Sequence, residues 1–193
     1  MTSLRLIIVS ILLAAVAFGQ SEYDRGTWRH WIDADRDGFD ARQEVLLRSS
    51  LVPVTWTVST GGKHRVEKGL WICPYSGTLV YTASDLDVDH MVALQNAHQS
   101  GADSWSSDEK RDYANDLDDP HHLLAVLAKH NRAKGSKSPA EWRPPAREAW
   151  CEYGLAVARI KSRWRLTIPV TEAAAIVDMV ATCPVLAWDL TAR

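Results

Sequence analysis

The chain has 193 residues, 46% of them hydrophobic and 24% charged, with a formal net charge of -2. That length fits one ordinary domain able to bury its own core. The composition excludes a disordered chain, and the charge excludes a nucleic-acid binder that works by overall basicity.

In chain order, Arg5 precedes an apolar stretch from Leu6 to Phe18 and then small residues around Ala15 to Gly19, the pattern of a secretory leader. A membrane span needs about 20 apolar residues, so export is expected rather than anchoring. The expected organisation is a leader over 1–19 and a single domain over 20–193, extracellular or periplasmic, with no membrane association after processing. Tyr23 to Ile32 reads as a short helix carrying Trp28 and Trp31, followed by an acidic loop and a helix from Ala41 to Arg48. Val52 to Ser59 alternates at Val54, Trp56 and Val58. The runs 69–72 and 78–81, joined by Pro74-Tyr75-Ser76-Gly77, suggest a hairpin.

Leu86 to His90 reads as a short strand, Met91 to His98 as a helix stopped at Ser100-Gly101, and Ser106 to Glu109 as the start of another helix. Leu123 to Leu127 is a compact apolar run expected to be a strand, with a helix from Ala128 to Lys134 behind it. From Arg147 onward, apolar residues recur every three or four positions through Trp164, and again from Glu172 to Cys183. These two segments are expected to be packing helices. Export permits disulfides; Cys151 and Cys183 are the expected pair, one on each helix, and Cys73 is left over as a buried thiol.

The chemistry concentrates at Asp87-Val88-Asp89-His90 and, forty-one positions after His90, at Asn131. An imidazole titrates near neutral pH and suits a general base. Asp89 and Asn131 are hard oxygen donors that suit Mg²⁺ or Mn²⁺. From Lys129 to Arg147 there are six Lys or Arg against the single acid Glu141, and Arg132, Lys134 and Lys137 are the expected phosphate contacts. Asp87 shares a strand face with Asp89 and is expected beside the site.

The blocks D-V-D-H-M-V-A-L (87–94), Y-A-N-D-L (113–117), H-L-L-A-V (122–126) and N-R-A-K-G-S-K-S-P-A-E-W (131–142) resemble the HNH (ββα-metal, His-Me finger) endonucleases. The resemblance is strongest to the secreted branch whose domain also forms the C-terminal half of GmrSD-type restriction enzymes, and it runs from about Tyr23 to Cys183. It implies an α+β fold: a ββα-metal core over about 85–138, a small antiparallel hairpin, and flanking helices that are mainly C-terminal. It also implies a metal-dependent endonuclease cutting DNA or RNA, with His90 as base and one divalent metal on Asp89 and Asn131. His122 takes the place of an asparagine that stabilises the loop around the base; it is expected either to keep that role through a bond to a backbone carbonyl or to recruit the metal. A third ligand found in some relatives falls here on Gly135. Glu141 is expected to cap locally and Trp142 to pack in the core. A disulfide common in the branch is expected to be missing, because Phe39 and His64 occupy its positions.

The acidic loop offers a second ion site. Asp33, Asp35, Asp37 and Glu44 fit the D-x-D-x-D-G-x₅-E template of a calcium loop, with Phe39 giving a carbonyl and Gly38 the turn. Against this reading, Asp40 stands where such loops place an aliphatic residue, and the resemblance to the nucleases, which carry a similar D-x-R-x-E-V-L segment here, implies instead that Asp40, Arg42 and Glu44 brace the fold near the active site. The rival function is thus a non-catalytic extracellular calcium-binding module. A nuclease would have nucleic acid as partner, and an exported antibacterial effector would add an immunity protein. Oligomeric state is not readable.

Overall fold

The computed structural model describes residues 21–184; the leader expected over 1–19 lies outside them. The fold is α+β, with two small antiparallel sheets set among six helices of the described residues.

The first sheet has the order β1 (Thr55–Val58), β2 (His64–Ile72), β3 (Leu79–Thr82) and includes the expected hairpin. It packs on α1 (Ala41–Ser49), which Asp40 caps by accepting from the Gln43 amide at 3.0 Å. Val45 and Leu46 of α1 meet Val66, Trp71 and Val80 of the sheet. The alternation at Trp56 and Val58 marks a strand but not a buried face, since both side chains are exposed. Trp56 rests instead on His64, which in turn meets Phe39 with ring centroids 4.5 Å apart. Phe39 and His64, expected to stand in place of a disulfide, thus meet edge-on.

The second sheet is the pair β4 (Leu86–His90) and β5 (Leu123–Leu127), in a register that sets His90 opposite Leu123 and Asp87 opposite Val126. Period-two geometry gives the pair two faces. Leu86, Val88, Leu123 and Ala125 pack toward α1 and the first sheet. Asp87 and Asp89 point the other way, toward α4 (Ala128–Lys134), which follows β5 directly. Both strands match the sequence expectation to the residue, and the helix starts at the expected Ala128.

Between β4 and β5 lie α2 (Leu94–Gln99) and α3 (Ser107–Ala114). Ser106 and Glu109 close a reciprocal cap at the start of α3. The second helix begins at Leu94 rather than Met91, because the Met91 amide donates to the His122 carbonyl at 2.9 Å and prolongs the strand pairing. The expected helix over 23–32 is also corrected. Only a single tight turn forms, Arg25–Thr27, capped by Asp24; Gly26 and Thr27 are weak helix formers, and Trp31 turns left-handed at φ 61°.

The C-terminal helices α5 (Trp150–Arg163) and α6 (Val170–Val180) form an antiparallel pair. Gly154 permits their close approach, since a Cβ there would lie 3.1 Å from the Met179 Cβ. The Cys151–Cys183 disulfide closes the pair at one end. The buried Lys161–Glu172 ion pair, at 2.6 Å, ties both helices to Ser100 after α2. Cys73 is buried, and its sulfur accepts from the Leu127 amide at 3.3 Å.

Candidate active site

A cleft of about 420 Å³ opens along the free edge of β4, lined by three consecutive residues of that strand, Val88, Asp89 and His90. Asn131 and Arg132 of α4 form the opposite wall, followed by Gly135 and Ser136. Tyr23 and Arg25 reach over it from the N-terminal segment. The ββα unit thus brings the imidazole at 90 and the carboxamide at 131 into one space.

His90 is buried, and its Nε2 lies 2.9 Å from the Ala114 carbonyl. A carbonyl can only accept, so Nε2 carries the proton and Nδ1 keeps its lone pair. Desolvation holds the imidazole pKa well below 6.5, and the neighbouring His122 lowers it further, so the ring is neutral at pH 7. Trp31 stacks on it at 5.5 Å. A left-handed tryptophan is strained; Asn115 fixes the segment by accepting from the Ile32 amide at 2.9 Å and donating to the Arg29 carbonyl at 2.7 Å.

Asn131 donates through Nδ2 to Asp87 Oδ2 at 3.0 Å. Because the carboxylate only accepts, the amide orientation is set and Oδ1 is left as its free acceptor. Asp89 departs from expectation. It is only 4% exposed, with Oδ2 accepting from Tyr75 Oη at 2.6 Å and Oδ1 from Lys134 Nζ at 2.8 Å. A metal-ligating carboxylate is expected here; the one found already has the Lys134 ammonium beside it.

The expectation that Lys134 contacts phosphate is corrected. Lys134 is 0% exposed and also donates to the His90 carbonyl at 2.8 Å. Being three residues after Asn131, it lies on the same helix face and is aimed at β4 rather than at solvent. Arg132 points outward, 78% exposed, with Asp87 at 3.9 Å. Lys137 is exposed but bonds back to the Ala133 carbonyl and does not line the cleft.

His122 does not reach the cleft either. It is buried and donates through Nε2 to the Tyr113 carbonyl at 2.8 Å. The two histidines therefore hold successive carbonyls at the end of α3, and of the two roles expected for His122 the geometry matches the loop-holding one. Gly135 ends α4 at φ 53°. Glu141 caps Ser138, and Trp142 packs between Tyr75 and Tyr153.

Sequence reasoning missed Arg25, Tyr23 and Trp31. Arg25 is held over the cleft by its neighbours: Trp28 is buried, Tyr23 packs edge-on against His98, and His98 Nε2 bonds the Ser21 carbonyl at 2.7 Å. Nothing in the spacing of these residues relates them to His90.

In the acidic loop, Asp33, Asp35 and Asp37 each bring an oxygen within 4.8 Å of the others. Gly38, at φ 98°, donates its amide to Asp33 at 3.0 Å. Burial and the charges of Asp37, Asp35 and Asp33 raise the Glu44 carboxyl pKa, but Glu44, the expected fourth carboxylate, does not join their cluster. Arg42 braces β4 through the Leu86 carbonyl at 3.2 Å.

Fold and cleft together define an α+β protein built on a ββα unit, with a polar cleft at the free edge of the unit's first strand. The chain is 36% identical over 164 residues to an uncharacterized secreted protein of Arthroderma benhamiae, spanning 85% of this chain and 77% of that one. It belongs to that protein's family, and it is a secreted protein. No protein-family model and no solved structure matches it.

Proposed function

We propose that this secreted protein is a metal-dependent HNH-type endonuclease that hydrolyses the phosphodiester bonds of DNA, with RNA as the second polymer to assay. The observation that carries this reading is the meeting of a neutral, carbonyl-held His90 and an oriented Asn131 in one cleft between Arg25 and Arg132. His90 Nδ1 takes the proton from a water molecule. The resulting hydroxide attacks phosphorus in line, and the bond to the 3′-oxygen breaks. Arg25 and Arg132 meet the charge on the phosphate oxygens.

The donors fit a hard divalent cation such as Mg²⁺ or Mn²⁺: Asn131 offers Oδ1, and Asp89 keeps lone pairs beyond its two hydrogen bonds. When bound, that ion would supply stabilisation of charge on the leaving oxygen. Lys134 compensates part of the Asp89 charge, so Asn131 and water would carry much of the coordination.

The test is plasmid cleavage with Mg²⁺ or Mn²⁺ against EDTA. His90→Ala should abolish cleavage with an unchanged circular-dichroism spectrum; cleavage that survives the substitution refutes the assignment. The convergence of the Asp33, Asp35 and Asp37 carboxylates favours a second reading, a calcium site in the 33–44 loop. In the nuclease it would be a structural ion; alone it would make the protein a non-catalytic calcium-binding module. Terbium luminescence lost on Glu44→Gln would support the ion, and absence of any terbium signal would dismiss it.

A further inference from the structure

A second groove, of about 610 Å³, runs between β3 and the start of α4 and shares Arg132 with the cleft. Its wall includes every residue from Thr78 to Thr82. A sheet face would contribute alternate residues, so the consecutive run shows that the groove follows the backbone edge of β3. That edge has no partner strand among the described residues, since β3 ends the sheet order. Leu79 and Tyr81 flank it at 50% and 61% exposure. Across the groove stand Lys129 and Arg132, with Asp85 the one acid of the lining.

We propose that this groove holds the stretch of nucleic-acid strand adjoining the scissile phosphate, with Tyr81 as a base-stacking platform and Lys129 as a backbone contact. The inference rests on the nuclease reading, and it extends that reading from one phosphate to a substrate several nucleotides long. Continuity decides the occupant: a strand whose phosphate lies between Arg25 and Arg132 leaves the cleft past Arg132, directly into the groove. An exposed aromatic ring next to two cations matches a stacked base on a tracked backbone, a pairing that tolerates any sequence. A peptide added to the β3 edge would use the same backbone groups, but nothing would then link the groove to the cleft.

The experiment measures binding of a fluorescein-labelled 16-nucleotide single strand in EDTA, where no cutting occurs, and hydrolysis of bis(4-nitrophenyl) phosphate with Mn²⁺, a diester too short to extend from the cleft into the groove. Tyr81→Ala should weaken oligonucleotide binding about tenfold, while Tyr81→Phe, which keeps the ring, should bind as wild type. Lys129→Ala should lower the salt dependence of binding by roughly one phosphate contact. Both should leave small-diester hydrolysis unchanged, and that retained activity also shows the variants are folded. Wild-type oligonucleotide affinity in the Tyr81→Ala, Lys129→Ala double variant overturns the proposal, whether the groove is empty or serves a peptide, while leaving the nuclease reading intact. If the wild-type protein hydrolyses neither the polymer nor the small diester, the nuclease reading fails, and the binding measurements still decide the groove.

Discussion

Lys134 gives the sharpest test of how this site is built. Its ammonium is fully buried, 2.8 Å from Asp89 Oδ1 and 2.8 Å from the His90 carbonyl, and Asp89, itself nearly buried at the floor of the cleft, also accepts from Tyr75. Lys134→Met keeps most of the stem volume and removes only the charge. The buried carboxylate would then retain Tyr75 as its one neutral donor. Breaking a buried pair in this way costs about 3–5 kcal/mol, against at most about 1 kcal/mol for an exposed pair. For a domain of this size each kcal/mol lowers the melting temperature by roughly 2–4 °C, so the variant should melt roughly 6–20 °C lower. Urea denaturation followed by circular dichroism measures the free energy directly. Adding Asp89→Asn should restore at least half of the loss, because the amide oxygen still accepts from Tyr75 and no uncompensated charge remains. A Lys134→Met variant destabilised by less than about 1 kcal/mol would refute the buried pair. Activity unchanged in the same variant would show that this ammonium does not hold the strand bearing His90.

Three further outcomes are expected. Arg25→Ala should lower kcat/KM for plasmid cleavage about 100-fold, with Arg25→Lys intermediate; a change within about threefold would remove Arg25 from the phosphate site. Burial lowers the His122 pKa from 6.5 to about 4. The unfolded chain therefore binds the proton first as pH falls, and stability should drop by roughly 3 kcal/mol between pH 6.5 and 4 and then level off. His122→Asn should make that interval shallower by about this amount in urea titrations, the remaining slope coming from His90, which burial also holds well below 6.5; an equally steep loss in the variant would place its source elsewhere. Asp119, held by Arg159 at about 2, adds a separate loss below its ordinary 3.8 as its carboxylate protonates. Finally, reducing the Cys151–Cys183 bond, which spans 32 residues, or replacing both cysteines by serine should cost about 3–4 kcal/mol, and equal melting temperatures before and after reduction would contradict this.

The parts of the fold legible in the sequence are those fixed by local pattern. β5 and α4 are legible because an apolar run of five residues leads into a charged helical segment, β4 because Leu86 and Val88 alternate with Asp87 and Asp89, and the Ser106–Glu109 cap marks its own helix start. Cys151 and Cys183 were pairable because each lies at a helix end. What stayed hidden depends on which way a helix faces. Lys134 and Lys137 look alike in a charge count, yet one is sealed against Asp89 and the other lies in solvent. Only the packing of α4 on the Asp87–Asp89 face separates them. Arg25 was invisible for a different reason. It lies 65 positions before His90, and a short segment anchored by Trp28, Tyr23 and the Ser21–His98 bond carries it to the cleft. The irregular backbone there, with Trp31 left-handed, has no periodicity to read.

The polar side chains around the cleft also explain one another. Asp87 and Asp89 are two residues apart on one strand face, and α4 presents Asn131 and Lys134 to them three residues apart, so each acid meets its own partner. The Asp87 hydrogen-bond partner from α4 is neutral, with the exposed Arg132 only at 3.9 Å, and that leaves a carboxamide oxygen for the cleft. The Asp89 partner is charged, which makes that carboxylate a clamp between helix and strand. Exchanging the two helix residues would place the ammonium at the open end and the amide at the sealed end, where Asp89 would keep its charge without a counter-charge. The order Asn-x-x-Lys is thus what lets one acid orient a donor while the other anchors the backbone of His90. It is also why a count of charges along α4 misjudges its last cation.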